Sequence, residues 1–98
     1  MNVMTQYQIK TERIDEHLAA IAEFVEQLKQ LNNADIKFTA YQLPDEVSFR
    51  HITYLKDNDT AEALMSQDFY KALGDGTLER CEQQPEFTPM DMVATFKI

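Results

Sequence analysis

The sequence is poor in the residues on which several common kinds of site depend. It contains one cysteine, no tryptophan, two glycines and three prolines in 98 residues. A single cysteine, Cys81, cannot form an intramolecular disulfide, which fits a reducing cytoplasm. Paired-cysteine metal or redox sites and glycine-rich phosphate loops are excluded, and no low-complexity linker is present. At this length the chain is expected to form one small domain, residues 1–98, located in the cytoplasm.

Positive charge is also scarce. Nine Lys and Arg residues oppose seventeen Asp and Glu residues, so the formal net charge is −8. A protein that binds the phosphate backbone needs a positive surface, so nucleic acid is not an expected partner. No apolar run is long enough to cross a bilayer, and the N-terminus lacks the basic start and apolar stretch of a secretory signal. We therefore expect no membrane partner.

What the chain does contain is clear periodicity. Alternation of apolar and polar residues predicts strands at residues 3–10, 36–43 and 48–56 and a last strand at Met90–Ile98. A helix is predicted over Ile14–Leu31 from one apolar stripe, formed by Ile14, Leu18, Ile21, Val25 and Leu28. Asn32-Asn33 is a suitable stop for it.

A second helix is predicted to begin near Ala61, after the capping residues Asn58-Asp59-Thr60. Ser66 is expected to interrupt it, and Gly74-Asp75-Gly76 to end it. Residues 77–89 are predicted as a loop with one short helical turn. The order β-α-β-β-α-β predicts an α+β, ferredoxin-like fold: a four-stranded antiparallel sheet with two helices on one face.

The predicted strands have two different faces. The inner face is largely apolar and should lie under the helices; it carries Val3, Tyr7, Ile9, Ile36, Phe38, Ala40, Val47, Phe49, His51, Thr53, Leu55, Met92, Ala94 and Phe96. The outer face is mixed. Its apolar residues, rimmed by polar groups, form the kind of patch that usually marks an interface. We expect a homodimer formed through this face, with Tyr41, Arg50, Ile52 and Tyr54 at the interface. A partly solvated sheet with scattered aromatics is the alternative.

The run L-K-D-N-D-T-A-E-A-L-M-S-Q-D-F-Y-K-A-L, residues 55–73, resembles the dimeric α+β-barrel superfamily and within it the antibiotic-biosynthesis-monooxygenase type. The resemblance implies two subunits packed sheet to sheet and a small organic ligand between helices and sheet. Some members oxidise quinol-like or polyketide substrates without metal or flavin, so we expect no cofactor. Leu55 stands where members often have Trp, and Asp68 stands where they have His. Without any Trp, the residue set of the haem-degrading branch cannot be assembled.

Two residues are candidate catalytic groups. His51, on the inner face of a central strand, suits a general base or a polar anchor in a pocket, or a histidine satisfied by a neighbouring group. Asp68 suits a proton acceptor or a partner of His51, or a carboxylate held by the first turn of a helix. Tyr7 shares the inner face and suits a phenol presented to a ligand, or a core residue with its hydroxyl at the rim. The residues predicted to contact the substrate are Tyr7, Phe49, Leu55 and Phe69.

The remaining polar candidates are expected to be structural. His17 is predicted to be solvated on the flank of the first helix, and Cys81 to lie in a loop without a catalytic role. Arg50 is expected to bridge to Asp91 or to a carboxylate of the partner subunit. No metal site is predicted, because the acidic run Asp57, Asp59 and Glu62 lacks the glycine and terminal glutamate of a calcium loop.

Two functions are consistent with these residues. The first is a cofactor-independent small-molecule enzyme, either a monooxygenase-like oxidoreductase acting on quinol-like or polyketide-like aromatics or a related proton-transfer catalyst. The second is a non-catalytic dimeric binding or regulatory protein that has kept the fold and lost the catalytic residues.

Overall fold

The structure, a computed structural model, describes residues 1–97. Its strands are β1 (Asn2–Ile9), β2 (Ile36–Gln42), β3 (Ser48–Leu55) and β4 (Cys81–Met90). Its helices are α1 (Ile14–Leu31), which follows a 3₁₀ turn at Thr11–Arg13, α2 (Asn58–Met65) and α3 (Asp68–Arg80). The predicted α1 and the predicted interruption near Ser66 are confirmed.

The four strands form one antiparallel sheet in the order β2-β3-β1-β4. This is the strand order of the ferredoxin-like fold, so the predicted α+β class is confirmed. Sequence alternation also predicts the faces of β1, β2 and β3 correctly. Tyr7 is opposite Phe49 and Thr5 is opposite His51, and Tyr41 is opposite Arg50 on the other face.

The helix ends follow local chemistry. Asn32 ends α1 in the left-handed conformation, at φ 52°, and its backbone N–H donates to the carbonyl of Leu28. The Asp57 carboxylate accepts a hydrogen bond from the backbone N–H of Thr60 at 2.8 Å and so caps α2. The cap therefore lies one residue before the predicted group Asn58-Asp59-Thr60.

The predicted position of the last strand is wrong. Strand β4 runs over Cys81–Met90, and residues 91–97 form no regular element. Residue 98, the predicted end of the strand, lies outside the described residues. Pro85 and Pro89 lie within β4, which is an edge strand, where proline is tolerated. Cys81 is consequently a buried strand residue and not a loop residue.

The predicted helix end at Gly74-Asp75-Gly76 is also wrong, because α3 continues through both glycines to Arg80. Arg80 is itself buried, with 7% of its surface exposed. The buried core at this end of the sheet consists of Tyr7, Ile9, Phe49 and Cys81, with Ile14 and Ile21 of α1 packed against it. No helix within residues 1–97 has the length and apolar character that crossing a membrane requires.

Candidate functional site

A cavity of about 490 Å³ separates the helices from the inner face of the sheet. Helix α1 contributes Phe24 and Leu28 to its wall, and α3 contributes Tyr70, Leu73 and Thr77. The sheet contributes Tyr7, Phe38, His51 and Phe87. Cavities of roughly 300–1,000 Å³ with apolar walls and a few polar groups are typical small-molecule sites.

Two polar groups of the cavity wall belong to one hydrogen-bonded chain. The Tyr7 hydroxyl is 2.6 Å from Nε2 of His51 and 2.5 Å from Nε2 of His17. Both imidazole rings meet the Tyr7 ring edge-on, with centroids 5.1 and 5.2 Å away. His17 is fully buried, and His51 has 6% of its surface exposed. The three side chains therefore hold one another in fixed positions.

Arg80 extends this chain at the end remote from the cavity. Its Nε–H donates to Nδ1 of His17 over 3.2 Å, and its Nη1 lies 3.6 Å from a Glu16 carboxylate oxygen. Nη2 of Arg80 is buried and has no hydrogen-bond partner among residues 1–97. Gly76 makes room for the guanidinium, because a Cβ at that position would lie 2.6 Å from Nη1.

Burial sets the ionisation of this chain. Loss of water lowers the pKa of His51 to about 4. It is also the main cause that lowers the pKa of His17 to about 4, and the positive charge of Arg80 adds to that effect. Burial raises the pKa of the Tyr7 hydroxyl. At neutral pH both imidazoles and the phenol of Tyr7 are therefore uncharged, and Arg80 is the one cation among these four hydrogen-bonded side chains.

The structure separates the two candidate catalytic residues. His51 lines the cavity, on the central strand β3. Asp68 lies exposed in the first turn of α3, and it is not among the residues that line the cavity. Asp68 therefore lies at the start of a helix, which is the second of the two positions expected for it.

Of the four residues predicted to contact the substrate, Tyr7 lines the cavity and the other three do not. Phe49 is buried behind the wall, stacked on the Tyr7 ring at 5.7 Å. Leu55 is buried at the end of β3, and Phe69 packs against Phe24 at 5.5 Å. Their prediction as ligand contacts receives no support from this geometry.

The four residues predicted at a dimer interface share the outer face of the sheet. Tyr41 has 55% of its surface exposed, and Arg50 is exposed beside it on the neighbouring strand. Ile52 and Tyr54 follow on the same face of β3 and are partly buried. Within residues 1–97 Arg50 forms no ion pair, and the bridge to Asp91 or to a partner carboxylate, expected in a dimer, stays a prediction.

The sequence did not identify two of these four hydrogen-bonded side chains, His17 and Arg80. His17 was expected to be solvated, and it is the most buried polar residue of α1. The signal was present as a second stripe of spacing 3-4-3-4-3, formed by Ile14, His17, Ile21, Phe24, Leu28 and Leu31. The predicted stripe follows a 4-3-4-3 spacing through Leu18 and places His17 on its flank, yet Leu18 is 39% exposed. Arg80 has no comparable signal, because long basic side chains near a helix end are usually solvated.

Groups of three or more His, Cys, Asp or Glu side chains placed to hold a metal ion are absent from the described part of the chain. The polar side chains that line the cavity are the neutral imidazole of His51, the phenols of Tyr7 and Tyr70, three threonines, Lys71 and Asp75.

No protein-family model and no curated protein matches this sequence. Solved structures do match. A crystal structure described as an antibiotic biosynthesis monooxygenase is 21% identical, with 95% of this chain and 98% of that chain covered and a TM-score of 0.81. A Pseudomonas aeruginosa protein is 10% identical over 95% and 93% of the two chains, with a TM-score of 0.79.

A third structure is that of SnoaB, described as a cofactor-independent oxygenase from Streptomyces nogalater. It is 10% identical over 94% of this chain and 93% of that chain, with a TM-score of 0.71. At these identities the likeness concerns the course of the backbone, which agrees over nearly the whole of each chain. The chain therefore has the fold of the antibiotic biosynthesis monooxygenases, as the resemblance of residues 55–73 predicted.

Proposed function

We propose that the protein binds a flat aromatic of the quinol or polyketide class in the cavity beside His51 and oxidises it as a cofactor-independent monooxygenase. The cavity carries the proposal. Its volume of about 490 Å³ suits a molecule of two or three fused rings, and Phe24, Phe38, Tyr70 and Phe87 supply aromatic walls. The fold shared with SnoaB, a cofactor-independent oxygenase, supports the type of reaction.

The wall residues explain how such a molecule would be oriented. Aromatic side chains contact its ring faces, while His51 and Tyr7 form a polar spot on an otherwise apolar floor. We expect a ring oxygen of the ligand to lie at this polar spot, because a polar group of the ligand or of the protein that is buried without a hydrogen-bond partner costs free energy. For a quinol the reaction consumes one O₂ and yields a hydroxyquinone and one water. The quinol is oxidised as its anion, which forms when one phenol proton passes to water, and a donor at the resulting ring oxygen stabilises that negative charge.

The experiment uses 1,4-dihydroxynaphthalene as the probe, with O₂ uptake and the mass of the 2-hydroxy-1,4-naphthoquinone product as readouts, after subtraction of the rate in buffer. We expect uptake of ¹⁸O₂ to label the product. His51→Ala should lower kcat/KM about 100-fold, a typical effect of removing one donor to a developing oxyanion. Asp68→Asn is the matched control and should leave turnover unchanged, because Asp68 is exposed away from the cavity. Turnover that survives His51→Ala contradicts the proposal.

The second candidate function is a non-catalytic binding protein with the same cavity. The exposed position of Asp68 favours it, because the one carboxylate predicted to take part in catalysis does not line the cavity. Thermal unfolding with and without 1-tetralone, a stable aromatic ketone, separates the two functions. A rise in Tm together with no turnover of the quinol supports binding alone, because a ligand of the native state stabilises it by mass action. No rise and no turnover contradict both.

We also propose that two copies associate through the outer face of the sheet, with Tyr41, Arg50, Ile52 and Tyr54 at the interface. The exposure of Tyr41 and the absence of an ion pair for Arg50 within residues 1–97 support this assignment. The buried, unpaired thiol of Cys81 fits a cytoplasmic location.

A further inference from the structure

The chain Arg80–His17–Tyr7–His51 admits one arrangement of protons that satisfies every contact. Arg80 has only donors, so Nδ1 of His17 must accept from its Nε–H. A neutral imidazole that accepts at Nδ1 carries its proton on Nε2, and His17 therefore donates to the Tyr7 oxygen. The Tyr7 hydroxyl then has its own proton left for Nε2 of His51. His51 in turn carries its proton on Nδ1.

The opposite arrangement leaves buried groups unsatisfied. If His51 carried its proton on Nε2, the Tyr7 oxygen would receive two N–H groups and its own O–H would lack an acceptor. If the Tyr7 hydroxyl donated to His17 instead, His17 would place an N–H against the Nε–H of Arg80. Each buried unsatisfied donor costs about 1–3 kcal/mol, so the first arrangement is the stable one.

The His51 end of these hydrogen-bonded side chains faces the cavity. His51 lines the cavity, whereas His17 and Arg80 do not. Its Nε2 is taken by Tyr7, and its Nδ1 has no hydrogen-bond partner within residues 1–97. Nδ1–H is thus the group of His51 that remains for a bound molecule.

We propose that Arg80 is a positioning residue that orients the whole chain, so that His51 presents an N–H donor to the cavity and binds an acceptor oxygen, a ketone or ionised phenol oxygen, of the ligand. This inference rests on the proposed function, because it concerns the same cavity. It assigns His51 the role of a hydrogen-bond donor and not that of a general base, since Nδ1 already holds a proton. The hydrogen bonds from Arg80 to His51 all point toward the ligand oxygen and polarise the Nδ1–H of His51. No proton passes along them, because Arg80 does not release one.

The first test is imidazole ¹⁵N NMR on the ligand-free protein. The whole protein has two histidines, so the spectrum contains two pairs of nitrogen signals. We expect opposite tautomers, with the proton on Nε2 in His17 and on Nδ1 in His51. The same tautomer in both histidines overturns the proposal. This result does not depend on turnover, so failure of the proposed enzyme activity leaves the test intact.

Variants of Arg80 test its part in the arrangement. Arg80→Met removes the donor, and both histidines should then become mixtures of tautomers. Arg80→Lys keeps a side chain with donors only and should restore the wild-type pattern. Arg13→Met is the matched control, because Arg13 pairs with the same Glu16 carboxylate but contacts neither histidine. It should leave both tautomers unchanged. A wild-type pattern in Arg80→Met overturns the proposal; if that variant does not fold, the wild type and Arg80→Lys decide.

Ligand binding provides the second test. The probes are 1-tetralone and tetralin, which have the same ring system with and without one acceptor oxygen. One hydrogen bond from a neutral donor should make 1-tetralone bind about fivefold more tightly. The difference should disappear in His51→Leu, and ketone binding should shift the Nδ1 signal of His51. Equal affinity of wild-type protein for both probes overturns the proposed donor role. If neither probe binds, the proposed ligand class is wrong, and the tautomers still test the orientation by Arg80.

Discussion

At the scale of single residues, the sequence identified His51 and Tyr7 as inward-facing polar groups but could not show that they touch. Strand alternation gives the face of a residue, and His51 and Tyr7 do share one. What makes them a site is the diagonal contact between neighbouring strands and the arrival of His17 from α1. Both depend on strand order and on the rotation of α1 about its axis, which are tertiary properties. The same limitation explains why Asp68 was considered a catalytic candidate.

The two buried histidines predict a specific dependence of stability on pH. Each has a pKa lowered to about 4 in the folded protein, below its ordinary value of 6.5. The unfolded chain therefore binds more protons than the folded one between these values, so the free energy of unfolding falls as pH falls from 6.5 toward 4. We expect a loss of about 1.5 kcal/mol for each histidine between pH 6.5 and 5, measured by urea unfolding at a fixed protein concentration.

Other groups interfere little in this window. Glu16 and Asp57 have pKa values lowered by hydrogen bonds, from ordinary values of 4.5 and 3.8, so they titrate at lower pH. His51→Phe serves as the control: it removes one of the two histidines, and the slope between pH 6.5 and 5 should fall to about half. A wild-type stability that does not change across this range would show that the folded protein takes up protons on both rings, and would contradict the neutral chain described above.

At the scale of elements, α3 departs most from what the sequence predicts. Gly74 and Gly76 are typical helix terminators, yet both lie inside a helix of 13 residues. Tertiary packing overrides the local preference: the last turn of α3 positions Arg80 against His17, and Gly76 leaves the space that the guanidinium occupies. Sequence reasoning had no access to this contact, because Arg80 and His17 are 63 residues apart.

The two glycines should therefore respond differently to alanine. A Cβ at Gly74 meets no atom within 4 Å, so Gly74→Ala should add about 1 kcal/mol to the free energy of unfolding through helix propensity alone. A Cβ at Gly76 would lie 2.6 Å from Nη1 of Arg80, so Gly76→Ala must displace the guanidinium. We expect that displacement to cancel the gain of about 1 kcal/mol and to weaken the hydrogen bond to His17.

Urea unfolding of the two variants measures the difference, and Gly74→Ala serves as the control for helix propensity. The imidazole ¹⁵N spectrum adds a local readout, because it should change in Gly76→Ala and stay the same in Gly74→Ala. Equal stabilisation by both substitutions would mean that the Arg80 side chain moves aside without cost, which contradicts a guanidinium held in place by Gly76 and His17.

At the scale of the whole molecule, the order of elements predicted the fold, while the alternation of residues 90–98 misplaced its last strand. The segment that pairs with β1, Cys81–Met90, carries two prolines and few apolar residues, so its pairing with β1 is hard to detect in sequence. The alternating segment that follows leaves Met92, Val93 and Phe96 at 66%, 96% and 85% exposure. Apolar surface of this kind is expected to be covered by another protein surface.

The proposed homodimer gives the last prediction. Light scattering during size-exclusion chromatography should report about twice the chain mass of 11.4 kDa. Tyr41→Glu places a charge at an exposed position of the outer face, on the edge strand β2, where burial of an unpaired carboxylate in an interface is costly, and should shift the protein toward the monomer. Leu18→Glu is the matched control, since Leu18 is an exposed apolar residue on α1, across the molecule from the outer face. A monomeric wild type would contradict the proposed homodimer. A Tyr41→Glu variant that stays dimeric while Leu18→Glu dissociates would place the interface elsewhere than on the sheet.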